Sequence, residues 1–237
     1  MNIAIIGYGK MGREIARIAQ LRGHQIGLII DVDNSEDLTA KNLTQTDVAI
    51  EFSSPAAAYQ NISICLQSGT PVVSGTTGWL DKWDDIVKLS ADAGTGLFYA
   101  SNYSIGVNIL FAVNSHLAKI MAGFPEYDVS LEEIHHIHKL DAPSGTAITL
   151  ANQVTDQLPA RRSWSLSKGD PEKIYIDAKR EGEVNGYHKV TYDSDIDTLT
   201  ITHNAKSREG FATGAVLAAE YMKGKQGIHS MKEMLKL

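Results

Sequence analysis

The sequence predicts an α/β chain in two parts: an N-terminal part built on a parallel sheet with helices on its faces, and a central α+β part with a mixed or antiparallel sheet. Three observations carry this. Strand and helix patterns alternate from residue 2 to residue 99, a glycine-rich turn joins the first strand to the first helix, and after residue 121 strand patterns dominate. The 237 residues, 43% apolar and 21% charged, suffice for a sizeable core in one large domain or two modest ones. A net charge of −6 offers no basic stripe to neutralise phosphates, so no nucleic-acid partner is expected. Cys65 is the only cysteine, which excludes an internal disulfide and fits a reducing, cytoplasmic setting. The opening Met1-Asn2-Ile3-Ala4-Ile5-Ile6 is too short for a secretory apolar region, and no run nears the roughly twenty apolar residues of a membrane helix.

Asn2 to Ile6 reads as a buried strand, Gly7-Tyr8-Gly9-Lys10-Met11-Gly12 as a tight turn, and Met11, Ile15, Ile18 and Ala19 as the inner face of a helix. Gln25 to Ile30 forms a second strand that ends at Asp31, nineteen residues past Gly12. This is the layout of a Rossmann-type unit, in which glycines let a diphosphate approach backbone amides at a helix start and the acid grips the ribose hydroxyls. Dinucleotide binding is expected, with a purely structural glycine turn as the alternative. Val32-Asp33-Asn34 after Asp31 leans towards NADH, because a 2′-phosphate would be repelled. Lys10 and Arg13 near the loop keep NADPH open.

The alternation continues with strands at Asp47 to Phe52, Pro71 to Ser74 and Gly96 to Tyr99, and helices at Pro55 to Leu66 and Asp81 to Ala93. Ligands of open α/β sheets bind beyond the carboxyl ends of the strands. The loops Phe52-Ser53-Ser54-Pro55, Gly75-Thr76-Thr77-Gly78 and Ala100-Ser101-Asn102-Tyr103 should therefore surround the cofactor, although the same residues serve ordinary turns.

Ile105 to Met121 reads as a long apolar helix carrying Ile109, Ala112, Val113, Leu117 and Ile120. Strand patterns follow at Tyr127 to His135, Ile174 to Ala178, Gly186 to Tyr192 and Thr198 to His203, the last two flanking a hairpin at Asp193-Ser194-Asp195. Residues 161 to 173 read as a polar loop. Gly210 to Gly224 returns to helix and can close back on the first part. Few helices are available to cover the second sheet, so oligomerisation through this part is expected.

The segment from Glu133 to Ala147 concentrates the chemistry. Val129, Leu131, Glu133 and His135 share one strand face, and Ala147, Leu150, Ala151, Val154 and Leu158 recur at helical spacing. Pro143 keeps helix from starting at Ala142, and Ser144 or Thr146 can cap the following helix, whose first amides near Gly145 and Thr146 suit an anion such as a carboxylate. His135 and Lys139 beside that helix start make a proton-transfer site for an acidic small molecule. Structural histidines and a metal site are the alternatives. The lone cysteine, the lack of H-E-x-x-H and the lack of a second ligand cluster weigh against a metal, and none is expected.

The chain resembles the 4-hydroxy-tetrahydrodipicolinate (dihydrodipicolinate) reductases of lysine and diaminopimelate biosynthesis. The resemblance rests on Gly7 to Gly12, Gly75 to Gly78, Ser101 to Asn108 and, most specifically, the H-H-x-x-K-x-D-A-P-S-G-T-A pattern from His135 to Ala147. It implies a dinucleotide-binding domain over 1–103 and 211–237, a substrate and tetramerisation domain over 104–210, and NAD(P)H-dependent reduction of a small cyclic dicarboxylate with loss of water. It assigns His135 as proton donor and acceptor, Lys139 as a second donor, His136 as a substrate contact, and Gly145 and Thr146 as a carboxylate site. It also assigns Gly7, Tyr8, Gly9, Lys10, Met11, Gly12, Asp31, Gly75, Thr76, Thr77, Ala100, Ser101, Asn102 and Tyr103 to the cofactor. Two departures stand out: a glycine loop one residue tighter than in many members, and Ile137 where many carry a basic residue. The rival readings are another Rossmann-type dehydrogenase of aspartate or homoserine, and a non-catalytic dinucleotide sensor.

Overall fold

Asn2–Ile6 (β1) shows how the first unit is layered. Successive side chains of a strand point to opposite faces, and here Ile3 and Ile5 enter one core while Ala4 and Ile6 enter another. The glycine turn leads into Lys10–Leu21 (α1), then Gln25–Ile30 (β2), a 3₁₀ stretch at Val32–Asp37 and a single turn at Ala40–Leu43 (α2). Val48–Glu51 (β3), Pro55–Gln67 (α3), Val72–Ser74 (β4), Trp83–Ala93 (α4) and Gly96–Tyr99 (β5) continue the alternation. In this computed structural model, which describes residues 1–207 and 209–237, one compact unit comprises Met1–Ile105 with Glu209–Leu237 and the other Gly106–Arg208.

Ile105–Met121 (α5) begins on the last residue of the first segment and runs into the second unit, which continues with Asp128–His135 (β6), Gly145–Thr155 (α6), Ser163–Ser165 (β7), Lys173–Arg180 (β8), Tyr187–Asp193 (β9) and Thr198–Asn204 (β10). Glu209–Met222 (α7), Gly227–His229 (β11) and Met231–Leu235 (α8) return to the first.

The first unit is a Rossmann-type sheet in the order β11-β5-β4-β3-β1-β2, with every neighbouring pair parallel. On one face Ile15, Ala16 and Ala19 of α1 and Ala212, Ala215 and Ala219 of α7 pack on Ile3 and Ile5; on the other, Ile62 and Leu66 of α3 and Ile86 of α4 pack on Ala4 and Ile6. Two glycines make the approach of the backbone possible. Gly7 has φ +90°, and a Cβ there would lie 2.2 Å from the Phe52 carbonyl oxygen; a Cβ at Gly214 in α7 would lie 1.8 Å from the Tyr103 carbonyl oxygen.

The second unit carries a mixed sheet in the order β10-β9-β6-β8-β7. Its β10–β9 and β9–β6 pairs are antiparallel, and its β6–β8 and β8–β7 pairs are parallel. One face is covered by α6, whose Leu150, Ala151 and Val154 meet Val129, Leu131, Ile174, Ile176 and Val190. The polar stretch 161–173 contains β7, which pairs with β8 rather than remaining loop. The long helix α5 buries Val107, Leu110, Asn114, Ala118 and Met121 and leaves Ile109, Val113 and Ile120 nearly half exposed. Asn114 is accepted in the interior because its amide donates to the Leu150 carbonyl at 3.1 Å and to Gln153 Oε1 at 2.9 Å. Among the described residues no helix is long and apolar enough to cross a membrane.

Alanine ordinarily favours a helix interior over glycine by about 1 kcal/mol. At Gly214 the 1.8 Å approach to Tyr103 forces a backbone shift costing about 1–3 kcal/mol, so the packing loss outweighs the propensity gain. Gly214→Ala is expected to lower the urea midpoint; a raised midpoint would show that α7 accommodates a methyl group there.

Candidate active site

The strand β6 alternates Val129, Leu131, Glu133 and His135 on its inner face, all of them buried. The first two continue the apolar core, and the last two bring charge and a titratable ring to its end. Pairing fixes what they meet: Glu133 stands opposite His188 of β9, and His135 opposite Arg180 of β8.

Glu133 is fully buried. Its Oε1 accepts the Ser144 backbone N–H at 2.9 Å and the Arg180 guanidinium at 3.2 Å. Its Oε2 lies 3.4 Å from His135 Nδ1 and 3.7 Å from His188 Nε2. The two imidazoles meet edge to face with centroids 5.0 Å apart, and His188 Nε2 is 3.3 Å from Ser144 Oγ. One carboxylate thus ties together the strand end, both neighbouring strands and the start of α6.

The strand ends at His135, whose carbonyl accepts the Glu181 N–H at 2.8 Å. His136, beyond the strand and half-buried, is released from strict alternation, and its ring lies 5.9 Å from that of the exposed His138. The loop then turns through Lys139, whose ammonium is 2.7 Å from Asp141 Oδ1. Arg180 pins this loop by donating to the carbonyls of Lys139 and Asp141. Ser144, not Thr146, is the N-cap of α6, its Oγ accepting the Ala147 N–H at 3.2 Å. Gly145 is exposed and Thr146 half-buried at the positive end of this helix. Ile137 is exposed.

Burial lowers the His135 pKa; the Glu133 carboxylate works against that shift, while Lys139 and Arg180 add to it. Burial also pushes His188 down to about 3, reinforced by His135, His203 and Lys139. Both rings are therefore neutral near pH 7, and a neutral ring can take a proton as well as return one.

Glu133, His135 and His188 bring potential ligand atoms within 4.8 Å of one another. The charge in that cluster is met by Arg180 at 3.2 Å, so a metal cation would sit against a guanidinium, which disfavours it.

In the first unit the segments expected at the cofactor converge at the carboxyl ends of the strands. Gly7 N–H donates to the Ile30 carbonyl at 2.8 Å, which sets the glycine turn beside the end of β2 and Asp31. Gly9 is the N-cap of α1 with no side-chain cap, and Lys10 is exposed beside it. Arg13 donates to the Tyr8 carbonyl at 3.1 Å and lies 5.1 Å from the centre of the Tyr8 ring. Met11 and Ala100 are half-buried, and Thr77 and Ser101 are exposed. Asn102 accepts the Ser104 N–H at 2.9 Å. The Tyr103 ring is buried and its hydroxyl donates to the Ser74 carbonyl at 2.7 Å, so that side chain belongs to the core.

One organising residue was not singled out from the sequence. Glu51, fully buried, accepts from Ser53 N at 3.0 Å, Ser53 Oγ at 2.5 Å, Ser74 Oγ at 2.7 Å and Thr76 Oγ1 at 2.8 Å. It joins the loops after β3 and β4. The available signal was an acid within the apolar run Val48 to Phe52. Glu51→Ala would leave several buried donors unpaired, at about 1–3 kcal/mol each, and is expected to lower the unfolding free energy by at least about 3 kcal/mol in urea titrations. A loss below about 1 kcal/mol would refute that role.

The histidine shifts also fix a pH dependence. Below the ordinary histidine value of 6.5 the unfolded chain takes up a proton that His188 refuses until about 3, so stability is full above about 6.5 and falls as pH drops towards 3. Urea midpoints measured across this range should fall with pH more steeply for the wild type than for His188→Gln; identical slopes would show that His188 does not titrate in this way.

Comparison with known proteins accounts for both units. Residues 1–103 match the family model of the dihydrodipicolinate reductase N-terminus and residues 106–235 that of its C-terminus. The chain is 50% identical over 236 residues to the 4-hydroxy-tetrahydrodipicolinate reductase of Christiangramia forsetii, covering 99% of this chain and 98% of that one. The reductase of the same name from Neisseria gonorrhoeae is 33% identical over 223 residues, 91% of this chain and 81% of that one. The fold matches a dipicolinate-bound dihydrodipicolinate reductase from Paenisporosarcina sp. TG-14 with a TM-score of 0.78, at 21% identity and 98% coverage of both chains. A Mycobacterium smegmatis amine dehydrogenase shares the fold more loosely, with a TM-score of 0.54, 14% identity, and coverage of 96% of this chain and 94% of that one. A dinucleotide-binding N-terminal unit followed by the unit that carries the histidine-lysine segment places the chain in the dihydrodipicolinate reductase family of oxidoreductases.

Proposed function

We propose that the chain reduces 4-hydroxy-tetrahydrodipicolinate to tetrahydrodipicolinate, with release of water and at the expense of NAD(P)H, in lysine and diaminopimelate biosynthesis. The observation that carries the reading is His135, buried beside Glu133 and followed within one short loop by Lys139 and the start of α6. The names of substrate and product each describe a six-membered ring with two carboxylates, and the change from one to the other removes one hydroxyl. Removing it requires one hydride, one proton and the departure of water.

The first unit fits a dinucleotide. Gly7 and Gly12 keep the turn low against the strand ends, a Cβ at Gly12 falling 2.0 Å from the Gly7 carbonyl oxygen, and α1 starts without a side-chain cap. We assign its grip to Gly7, Tyr8, Gly9, Lys10, Met11, Gly12, Asp31, Gly75, Thr76, Thr77 and Ala100 to Tyr103, with the last contributing through its backbone. When bound, the reduced nicotinamide supplies the hydride to the ring carbon that loses the hydroxyl.

Neutral His135 takes a proton from the ring carbon next to the departing hydroxyl and returns it after reduction. Lys139 protonates the hydroxyl so that it leaves as water. The first-turn amides of α6 at Gly145 and Thr146 receive one carboxylate, and His136 contacts the substrate beside it. Asp31 with no basic residue directly after it favours NADH over NADPH. Exposed Ile109, Val113, Ile120 and Leu199 in the second unit support association through that unit as a homotetramer, and the reaction suits the cytoplasm.

The test is oxidation of NADH and NADPH with freshly generated cyclic substrate. Wild type is expected to turn over with both and to prefer NADH in kcat/KM. His135→Gln and Lys139→Cys should each lower kcat by roughly 10²- to 10⁴-fold, the range of general acid–base catalysis, with KM changed only a few-fold. Turnover near wild type in either variant would remove that residue from the mechanism.

A further inference from the structure

Resting on the assignment of His135 as the group that takes and returns a proton, we infer that Glu133 is its positioning residue: the buried carboxylate holds the ring in the Nδ1–H form and leaves Nε2 as the proton acceptor. Four observations carry this.

First, His135 Nδ1 and Glu133 Oε2 are both buried and, among the described residues, neither has a hydrogen-bond partner. They lie 3.4 Å apart. A buried imidazole nitrogen beside a carboxylate is satisfied by carrying the proton, which fixes the tautomer.

Second, the carboxylate cannot swing away. Its other oxygen is held by the Ser144 N–H at 2.9 Å and by Arg180 at 3.2 Å, and its residue is paired across β6 with Ala178 on one side and His188 on the other. The orientation of the ring is therefore set by the sheet itself.

Third, the residue next to the opposite edge of the ring is a glycine: a Cβ at Gly186 would come to 3.3 Å from Nε2, so no side chain from that position crowds the nitrogen. Fourth, Glu133 is the only acid on the inner face of β6, and the charges around His135 otherwise oppose its protonated form. The opposing charges are Lys139 in the following loop and Arg180 on β8; Asp141 of that loop favours protonation less than Glu133 does, and His188 on β9 is neutral. Glu133 supplies the negative charge that makes the transient imidazolium affordable in a buried position.

Glu133→Gln discriminates this role from a merely structural one. The glutamine carbonyl can still accept from Ser144 and Arg180, but its amide presents N–H towards Nδ1 and imposes the Nε2–H form. We expect kcat to fall roughly 10²-fold, KM for the cyclic substrate to stay within about threefold, and the acid limb of the kcat/KM profile to move to lower pH, because His135 loses the anion that favours its protonation. Glu133→Asp, which keeps the charge but withdraws it by one methylene, should fall between wild type and Glu133→Gln in both kcat and limb position. It carries the test alone if the glutamine variant lacks the wild-type circular dichroism spectrum. His135→Gln, run alongside, separates two failures. If it retains wild-type turnover, the proton-transfer assignment itself is wrong. If it collapses while the Glu133 variants keep both wild-type kcat and limb position, only the positioning role is overturned.

Discussion

A carboxylate removed from water must be compensated on every side, and Glu133 is the place in this chain where that demand organises the structure. Stripping an ion of solvent costs several kcal/mol. The interior answers with the Ser144 amide, the Arg180 guanidinium and the edges of two imidazoles. Each answer has a structural consequence. The Ser144 bond fixes where α6 begins and so where its positive end sits. Arg180 also holds the loop that carries Lys139. Pairing with β8 and β9 sets which side chains are within reach. His135 and the start of α6, to which we assign proton transfer and carboxylate binding, are thus both held by the same buried charge.

The first unit repeats the device with a different set of donors. Glu51 is as buried as Glu133, and takes hydroxyls and an amide from the end of β4 and from the loops after β3 and β4. Tyr103 adds a third loop through its bond to the Ser74 carbonyl. Loops at the carboxyl ends of a parallel sheet have few backbone partners of their own, so an interior acid that collects their hydroxyls holds them in place without occupying the space in front of them. Replacing either acid by an apolar side chain would leave the donors stranded, which is why a buried charge persists where a hydrophobic residue would ordinarily serve.

Much of this was legible in the chain because it is local. The alternation of β1, α1 and β2, the glycine turn and the Ser144 helix start are encoded by residues within a few positions of one another, and the structure follows them closely. Elements decided by distant partners were not legible. The strands β7 and β11 span three residues each, too few to carry a period, and exist because β8 and β5 present an edge to them. The buried face of α5 could not be chosen because the helix is apolar nearly all round; two hydrogen bonds to α6 draw Asn114 inward instead of Val113. In the site, His135 and Lys139 were named from their spacing and from the family pattern. Glu133 was placed on the correct strand face, but its purpose depends on Arg180, 47 residues onward. The role of Glu51 depends on distant residues in the same way, since Ser74 ends β4 and Thr76 lies in the loop after it.

The pairing of Glu133 with the His135 ring is the claim on which the chemistry of the second unit turns, and the proton on that ring is directly observable. Nitrogen-15 spectra of the imidazoles of the folded wild-type protein, assigned with His135→Gln and recorded near pH 7, report which ring nitrogen is protonated. The account predicts a neutral His135 with hydrogen on Nδ1 and a bare Nε2. A ring carrying its hydrogen on Nε2 would contradict it.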